Sequence, residues 1–254
     1  MKEWFSTNDL SHPGIKSLIK RGRYFISGKI SRPQYKNFTF QKFEVTPKKS
    51  KELIYIKGWN TVIGFHTRNI PHQGHIFIQK KSIKYANADG LMLSPAVGQK
   101  KKGDFKNEML IESYSEVLRS KTHYNKAILC CLDIYSRYAG AREAVFTAIC
   151  RKNLGCSHFI VGRDHTGFNN NSSDKDLRKF FSEIGNLGIE IIFFDKLGFN
   201  SRTKRYTFTQ NSKKIISGSI VRSLIKQKKK IPNYLLDKYQ QQIIKNWKKK
   251  FFYD

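Results

Sequence analysis

Between residues 59 and 205, short apolar runs alternate with segments of helical periodicity. The apolar runs predict buried parallel strands at residues 60–65, 90–93, 127–132, 157–161 and 189–194. The helical periodicity predicts helices at residues 76–86, 104–121, 142–154 and 174–185. Strands that alternate with helices in this way predict an α/β fold built on a parallel sheet.

The first part of the chain has a different pattern. Residues 1–58 are polar and mixed, and two short strands are predicted within them, at 24–30 and 38–43. A β-rich segment of this length cannot form a large core of its own. We therefore expect it to pack against the domain that follows.

The pattern becomes less regular after about residue 206. A helix is predicted to open at Ser217 and to run to Lys226, and residues 234–247 are amphipathic. These changes of pattern divide the chain into three predicted parts, namely 1–58, 59–205 and 206–254.

The chain is strongly basic, with 48 Lys and Arg against 19 Asp and Glu and a formal net charge of +29. Such a field attracts polyanions, including nucleic acid and phosphates. Lys, Asn and Ile are all abundant, however, and a coding bias would also produce this charge. Net charge indicates what approaches the protein and does not specify a reaction.

The four cysteines do not form a C-x-x-C pair or a cluster with zinc spacing. Cys130 and Cys131 lie in an apolar run, which predicts core positions. The first residues lack the apolar stretch of a signal peptide, and no run approaches the length of a membrane span. From these features we expect a cytoplasmic protein without a membrane partner.

The first candidate motif follows the predicted strand 60–65 and reads HTRNIPHQGH, residues 66–75. His72 and His75 are three residues apart, so both project from one face of a helix that begins there. The start of a helix favours phosphate through its free N–H groups and dipole. Arg68 adds a planar group suited to an oxyanion. Metal binding by the two histidines is an alternative, but no carboxylate or cysteine completes a ligand set.

Three further segments lie near predicted element ends. Residues 161–167, VGRDHTG, place Arg, Asp and His after a strand, although an ordinary charged turn would look similar. Residues 216–222, ISGSIVR, place hydroxyls and Arg222 at a helix start, and plain N-capping explains them equally well. The basic loop 95–104 reads as a solvated lysine run.

These segments together resemble the ATP sulfurylase (sulfate adenylyltransferase) family. The family's Q-T-R-N-P-x-H-x-x-H motif reads HTRNIPHQGH here, and its G-P-R-E-A segment reads GAREA, continuing through HFIVGRDHTG. Its I-S-G-T-x-x-R segment reads ISGSIVR, and HPGIKSLIKRGRYFISGKI is similar to the end of its N-terminal β-rich domain. The matching segments cover most of the chain in the family's order.

The resemblance implies a Rossmann-like nucleotidyltransferase domain with a shortened PUA-like segment before it and a small segment after it. It implies that ATP and sulfate react to give adenosine 5′-phosphosulfate and pyrophosphate. It assigns catalysis to Thr67, Arg68, Asn69, His72 and His75. It assigns nucleotide binding to His66, Arg68, Asn69, Gly162, Arg163, Asp164, His165 and Leu197. It assigns sulfate binding to His66, Arg68 and Thr166. Mg²⁺ is expected to accompany ATP, without a metal held by the protein.

The chain departs from the family pattern at several positions. His66 replaces the family's glutamine at the sulfate position, Ala141 replaces a proline, Gly167-Phe168 replaces Gly-Pro, and Ser219 replaces a threonine. Two alternatives therefore stay open, namely a related nucleotidyltransferase with another oxyanion acceptor and a basic nucleic-acid-binding protein derived from an inactive enzyme. A nucleic-acid partner is the less expected of the two, and the sequence leaves open a homo-oligomer.

Overall fold

The computed structural model describes residues 1–29, 31, 43, 45–120, 124, 126–162, 174–208 and 214–254. The helices are α1 Lys2–Phe5, α2 Pro13–Lys20, α3 Pro47–Ile56, α4 Gln73–Tyr85, α5 Asn107–Arg119, α6 Gly140–Asn153, α7 Asp174–Ile184, α8 Gly218–Lys226 and α9 Lys238–Asn246. The strands are β1 Val62–Thr67, β2 Gly90–Pro95, β3 Ala127–Leu129, β4 His158–Gly162, β5 Glu190–Phe194, β6 Leu197–Asn200 and β7 Arg205–Phe208.

The centre of the fold is a five-stranded parallel sheet in the order β3-β2-β1-β4-β5. The chain moves outward from β1 in one direction and then returns to add β4 on its other side. The carboxyl ends of β1 and β4 therefore diverge and leave a crevice at the point where the strand order reverses. This arrangement confirms the predicted α/β fold with a parallel sheet.

Apolar residues cover both faces of the sheet and produce a three-layer core. Val62 belongs to a cluster that includes Ala148 of α6 and Phe181 of α7. The next residue, Ile63, belongs to a second cluster that includes Ile76 of α4 and Tyr114 of α5. Successive residues of β1 thus face opposite layers, which explains why this strand is an unbroken apolar run.

Cys130 and Cys131 are fully buried, as predicted. Neither cysteine forms a disulfide, and Cys130 packs in the same cluster as Phe159. Burial raises the pKa of the Cys130 thiol to about 12, so this side chain behaves as a small apolar residue at neutral pH.

The described part of residues 1–58 differs from the prediction. It forms helices α1, α2 and α3, and no strand occurs among the described residues of this range. The predicted strand 24–30 is wrong over 24–29, where Tyr24, Phe25 and Ile26 are at least 94% exposed. Apart from Phe43, the predicted strand 38–43 lies outside the described residues. The PUA-like segment is therefore not confirmed.

An antiparallel hairpin, β6–β7, follows the central sheet and was not predicted. The predicted boundary at 205/206 falls inside β7. A third apolar cluster joins Leu197 of β6, Phe105 and Met109 of the central region, and Val221 of α8. The C-terminal helices thus share a core with the sheet domain, and the division into three parts stays a prediction.

Candidate active site

A cavity of about 370 Å³ opens at the carboxyl edge of the sheet, between β1 and β4. It is bounded on its other sides by the start of β6 and by the start of α8. The residues assigned from sequence that line it are His66, Thr67, Arg68, Asn69, His72, His75, Gly162 and Leu197. The cavity therefore brings together most of the candidate residues that the structure describes.

His72 and His75 form a stacked pair at the start of α4. His72 is the N-cap of the helix, and its Nδ1 accepts a hydrogen bond of 3.3 Å from the backbone N–H of His75. The two ring centroids are 3.7 Å apart. Since Nδ1 of His72 is an acceptor, the proton of this neutral ring lies on Nε2. Both rings thus lie on one side of the helix at its start, as the three-residue spacing predicted.

The pKa values of both histidines are lowered. Burial lowers the pKa of His72 to about 3, and burial together with the nearby His72 lowers the pKa of His75 well below 6.5. Both rings are therefore neutral at pH 7. Neutral imidazoles can donate hydrogen bonds to phosphate oxygens without adding charge to the free site.

The loop between β1 and α4 is held by hydrogen bonds of its own residues. Thr67 Oγ1 accepts from the backbone N–H of Asn69 at 3.0 Å. Arg68 donates to the hydroxyl of Tyr138 at 3.2 Å, and its guanidinium lies 5.8 Å from the centre of that ring. Asn69 Oδ1 is buried without a partner among the described residues, so the hydrogen bonding of this amide is incomplete in the structure.

The ISGS segment packs directly against this loop. A side chain at Gly218 would place a Cβ 2.4 Å from Cγ of Asn69, and one at Gly74 would lie 2.6 Å from Ile216. Ser217 caps α8 by accepting from the backbone N–H of Ile220 at 3.4 Å. This segment therefore caps α8 and also forms part of the cavity wall, because small residues let two loops approach closely.

Arg222 also lines the cavity and is anchored by Asp104. Its Nη1 is 2.8 Å from Oδ1 of Asp104, a buried carboxylate at the end of the basic loop. Burial, followed by the nearby Arg68, lowers the pKa of Arg222. Burial also lowers the pKa of Lys100 to about 8, and its ammonium donates to the carbonyl of Ala96.

The basic loop is thus only partly a solvated run. Lys101 and Lys102 are exposed, whereas Lys100 is half-buried and Asp104 is buried. The sequence did not predict that Asp104 and Tyr138 belong to the site, because each reaches the site only through a contact with a side chain that is distant in sequence.

The second motif is described only at its first two residues, Val161 and Gly162. Gly162 lies at the cavity wall, whereas Arg163, Asp164, His165 and Thr166 lie outside the described residues. Leu197 is buried at the start of β6 and lines the cavity. Its predicted contact with adenine stays a prediction.

Arg151 of α6 approaches the site from behind and was not singled out from the sequence. Its Nη2 lies 2.5 Å from Nδ1 of His66, and the side chain is fully buried. A signal for it exists in the helix pattern. One buried face of α6 contains Ala144, Ala148 and Arg151, and an arginine is rarely found at a fully buried position.

None of the described helices is long and apolar enough to cross a bilayer. Within the described ranges, no group of three or more His, Cys, Asp and Glu side chains could hold a metal ion.

A parallel sheet in this order, with a helix start and basic side chains at its switch point, defines an α/β protein of the nucleotide-binding class. A family model described as ATP-sulfurylase matches residues 41–247. The chain belongs to the ATP-sulfurylase family.

Two curated relatives are sulfate adenylyltransferases. The protein of Pyrococcus abyssi is 34% identical over 253 residues, which cover 97% of this chain and 66% of that protein. The protein of Halothermothrix orenii is 37% identical over 239 residues, which cover 90% of this chain and 61% of that protein. The chain thus spans about two thirds or less of the length of these relatives.

Among solved structures, the chain is similar to a hexameric APS kinase from Thiobacillus denitrificans. The TM-score is 0.63 at 19% identity, and the match covers 83% of this chain and 41% of that one. At this identity the similarity supports the fold alone.

Proposed function

We propose that this protein is a nucleotidyltransferase that moves the adenylyl group of ATP onto sulfate. The products are adenosine 5′-phosphosulfate and pyrophosphate. Membership of the ATP-sulfurylase family and the names of the curated relatives support this activity. The observation that carries it is the stacked, neutral pair His72–His75 beside Arg68 in one cavity at the sheet's switch point.

The reaction needs no nucleophile from the protein. A sulfate oxygen attacks the α-phosphorus, and the bond from that phosphorus to the bridging oxygen of the β-phosphate breaks. The leaving pyrophosphate keeps the electron pair. Catalysis then consists of aligning sulfate in line with the leaving group and stabilising charge on the phosphate oxygens.

The residues of the cavity fit these two tasks. Arg68 offers a planar donor group to sulfate, with His66 and the backbone of Thr166 as its proposed companions. His72 and His75 donate N–H groups to the α- and β-phosphates, where charge grows as pyrophosphate leaves. Thr67 and Asn69 hold the loop in place.

The nucleotide would occupy the remaining wall of the cavity. We assign its phosphates and ribose to Gly162, Arg163, Asp164 and His165, by their match to the family motif. Leu197 would pack against adenine. Mg²⁺ enters as part of the MgATP substrate.

The experiment is pyrophosphate release from MgATP, measured first with sulfate and then with a panel of other oxyanions. We expect release that depends on sulfate. Release with another oxyanion and not with sulfate would support a related transferase. The panel is included because His66 replaces the family's glutamine at the sulfate position. An absence of turnover together with salt-sensitive RNA binding would contradict an enzymatic role.

A further inference from the structure

We propose that Arg151 is a positioning residue that holds His66 as the neutral Nε2–H tautomer, so that His66 donates a hydrogen bond to the oxyanion acceptor. The part of this proposal that concerns the oxyanion rests on the proposed function. The tautomer of His66 is independent of that function, because it follows from contacts in the free protein.

Gly64 of β1 gives Arg151 its path to His66. Gly64 and His66 are two residues apart on one strand, so both face α6. A Cβ at Gly64 would lie 2.8 Å from Cγ of Arg151 and 3.1 Å from Sγ of Cys156. The stem of Arg151 therefore crosses β1 where a side chain is missing, and its guanidinium arrives beside the next residue on that face.

The contacts of the guanidinium determine the tautomer. Arg151 donates to the backbone carbonyls of Thr147 at 3.3 Å and Ser94 at 3.4 Å, and its Nη2 is 2.5 Å from Nδ1 of His66. Arginine has only donors, so Nδ1 of His66 must accept. The single proton of the ring is then on Nε2, and the positive charge of Arg151 opposes a second proton.

The burial of Arg151 is difficult to explain by stability alone. Within the described part of the chain no carboxylate forms an ion pair with it, and its Nε has no hydrogen-bond partner. Burial lowers its pKa to about 10, so the group stays charged at neutral pH. Because an apolar side chain of similar size would avoid the cost of burying a charge, a role in the site accounts for the arginine better.

This arrangement determines which oxyanion fits at His66. A ring held with Nε2–H has only a donor at that nitrogen, and Arg68, which lines the same cavity, can also only donate. Both groups match an oxygen that carries no proton, as in sulfate at neutral pH. Among the residues that the structure describes, the other titratable side chains that line the cavity are His72, His75, Asp195, Lys196 and Arg222.

The direct test is nitrogen-edited NMR of the imidazoles in the ¹⁵N-labelled protein without substrate. The His66→Gln variant identifies the His66 signals by their absence. We expect the Nε2–H tautomer, with no titration as the pH falls from about 7 to about 5.5. Two results would overturn the proposal. One is a neutral ring that carries its proton on Nδ1, and the other is a ring that becomes cationic near the ordinary histidine pKa of about 6.5.

Kinetics of Arg151→Met then test whether the tautomer matters for turnover. Without Arg151, a neutral His66 can place its proton on either nitrogen, and it gains a proton only as the pH falls. We expect the KM for the oxyanion to rise about tenfold between about pH 6 and pH 8 in this variant, while the KM for MgATP changes little. The wild-type KM stays flat over this range.

Two further variants separate positioning from structure. The double variant Arg151→Met/His66→Gln carries an amide that does not titrate, so the pH dependence should disappear. Arg142→Met changes an exposed arginine of the same helix and should leave the profile as in the wild type. A pH dependence that survives in the double variant would contradict the role assigned to His66.

The inference and the proposed function can fail separately. If no oxyanion supports turnover, the proposed function fails and the tautomer measurement still decides the inference. If Arg151→Met does not fold, the spectrum of the wild-type protein decides it.

Discussion

At the scale of single residues, the proposed phosphate-binding role rests on two histidines that carry no charge of their own. His72 and His75 are neutral because they are buried beside each other, and the backbone N–H of His75 fixes the tautomer of His72. In the proposed reaction, donors that are already in place where phosphate charge develops would avoid reorganisation. The nearby cations Arg68 and Arg222 supply attraction for the anionic substrates.

Replacing His75 by alanine tests this donor role. We expect His75→Ala to reduce the rate of pyrophosphate release about 100-fold or more, because one donor to the transition state is lost. The far-ultraviolet circular dichroism spectrum should not change. His158→Ala is the matched control, since His158 pairs with Glu190 at the start of β4, away from the cavity. Equal turnover of the His75 variant and the wild type would show that the assigned role is wrong.

The lowered pKa of His72 also predicts how stability depends on pH. The folded protein holds this pKa at about 3 instead of 6.5, so the unfolded chain binds more protons between these values. The free energy of unfolding should therefore fall as the pH drops below about 6.5, and His72 should account for about 2 kcal/mol of this loss by about pH 5.

The variant His72→Asn removes this titration and keeps a side chain that caps helices well. Urea unfolding at about pH 6.5 and about pH 5 should show a smaller loss of stability between these pH values in this variant than in the wild type. His158→Asn serves as the control. A loss as large in His72→Asn as in the wild type would mean that His72 is not held neutral in the folded protein.

At the scale of elements, two loops interlock to form the cavity wall. Gly74 at the start of α4 meets Ile216, and Gly218 at the start of α8 meets Asn69. Neither contact can accept a Cβ without a shift of its neighbour. The sequence separation of these loops, about 140 residues, is bridged by the apolar cluster that includes Ile70 and Ile216.

The variant Gly218→Ala tests the interlock. A Cβ there would lie 2.4 Å from Cγ of Asn69, so α8 and the loop after β1 must separate. We expect turnover to fall about 100-fold with the fold retained, because small misplacements of aligned groups are costly. Gly28→Ala is the matched control, since a Cβ at Gly28 would meet nothing within 4 Å. Unaltered turnover of Gly218→Ala would show that the close approach is not needed.

The sequence predicted the central elements well because their pattern is local. The strands β1, β2, β4 and β5 and the helices α4 to α7 all lie within a few residues of their predicted bounds. The hairpin β6–β7 was missed, since Leu197–Asn200 is short and depends on a partner strand. The predicted strand 24–30 is wrong over 24–29, because an apolar, β-forming sequence becomes a strand only when another strand pairs with it.

The site was predictable where its residues are neighbours in sequence. The segment 66–75 indicates a candidate site by its local sequence alone, as a helix start with two histidines and an arginine. Asp104, Tyr138 and Arg151 gave no such signal as a group, because they reach the site from a loop, a turn and a distant helix. Of the three, only Arg151 is detectable from its pattern, as a charge on an otherwise buried helix face.

At the scale of the whole molecule, topology gathers the distant segments into one cavity. Parallel strands place the carboxyl ends of β1, β4 and β5 at the same edge, and the strand order opens the crevice between β1 and β4. The net charge of +29 gives the chain as a whole a field that attracts anions. This topology brings His66, His75, Gly162 and Leu197 to one cavity although they are far apart in sequence.

The most direct test of the account is to identify the product. The protein is incubated with MgATP and sulfate, with inorganic pyrophosphatase present so that removal of pyrophosphate draws the reaction forward, and the nucleotides are analysed by mass spectrometry. We expect adenosine 5′-phosphosulfate, formed only when sulfate is present and strongly reduced in His75→Ala. The absence of any sulfated nucleotide from the wild-type protein would contradict the account.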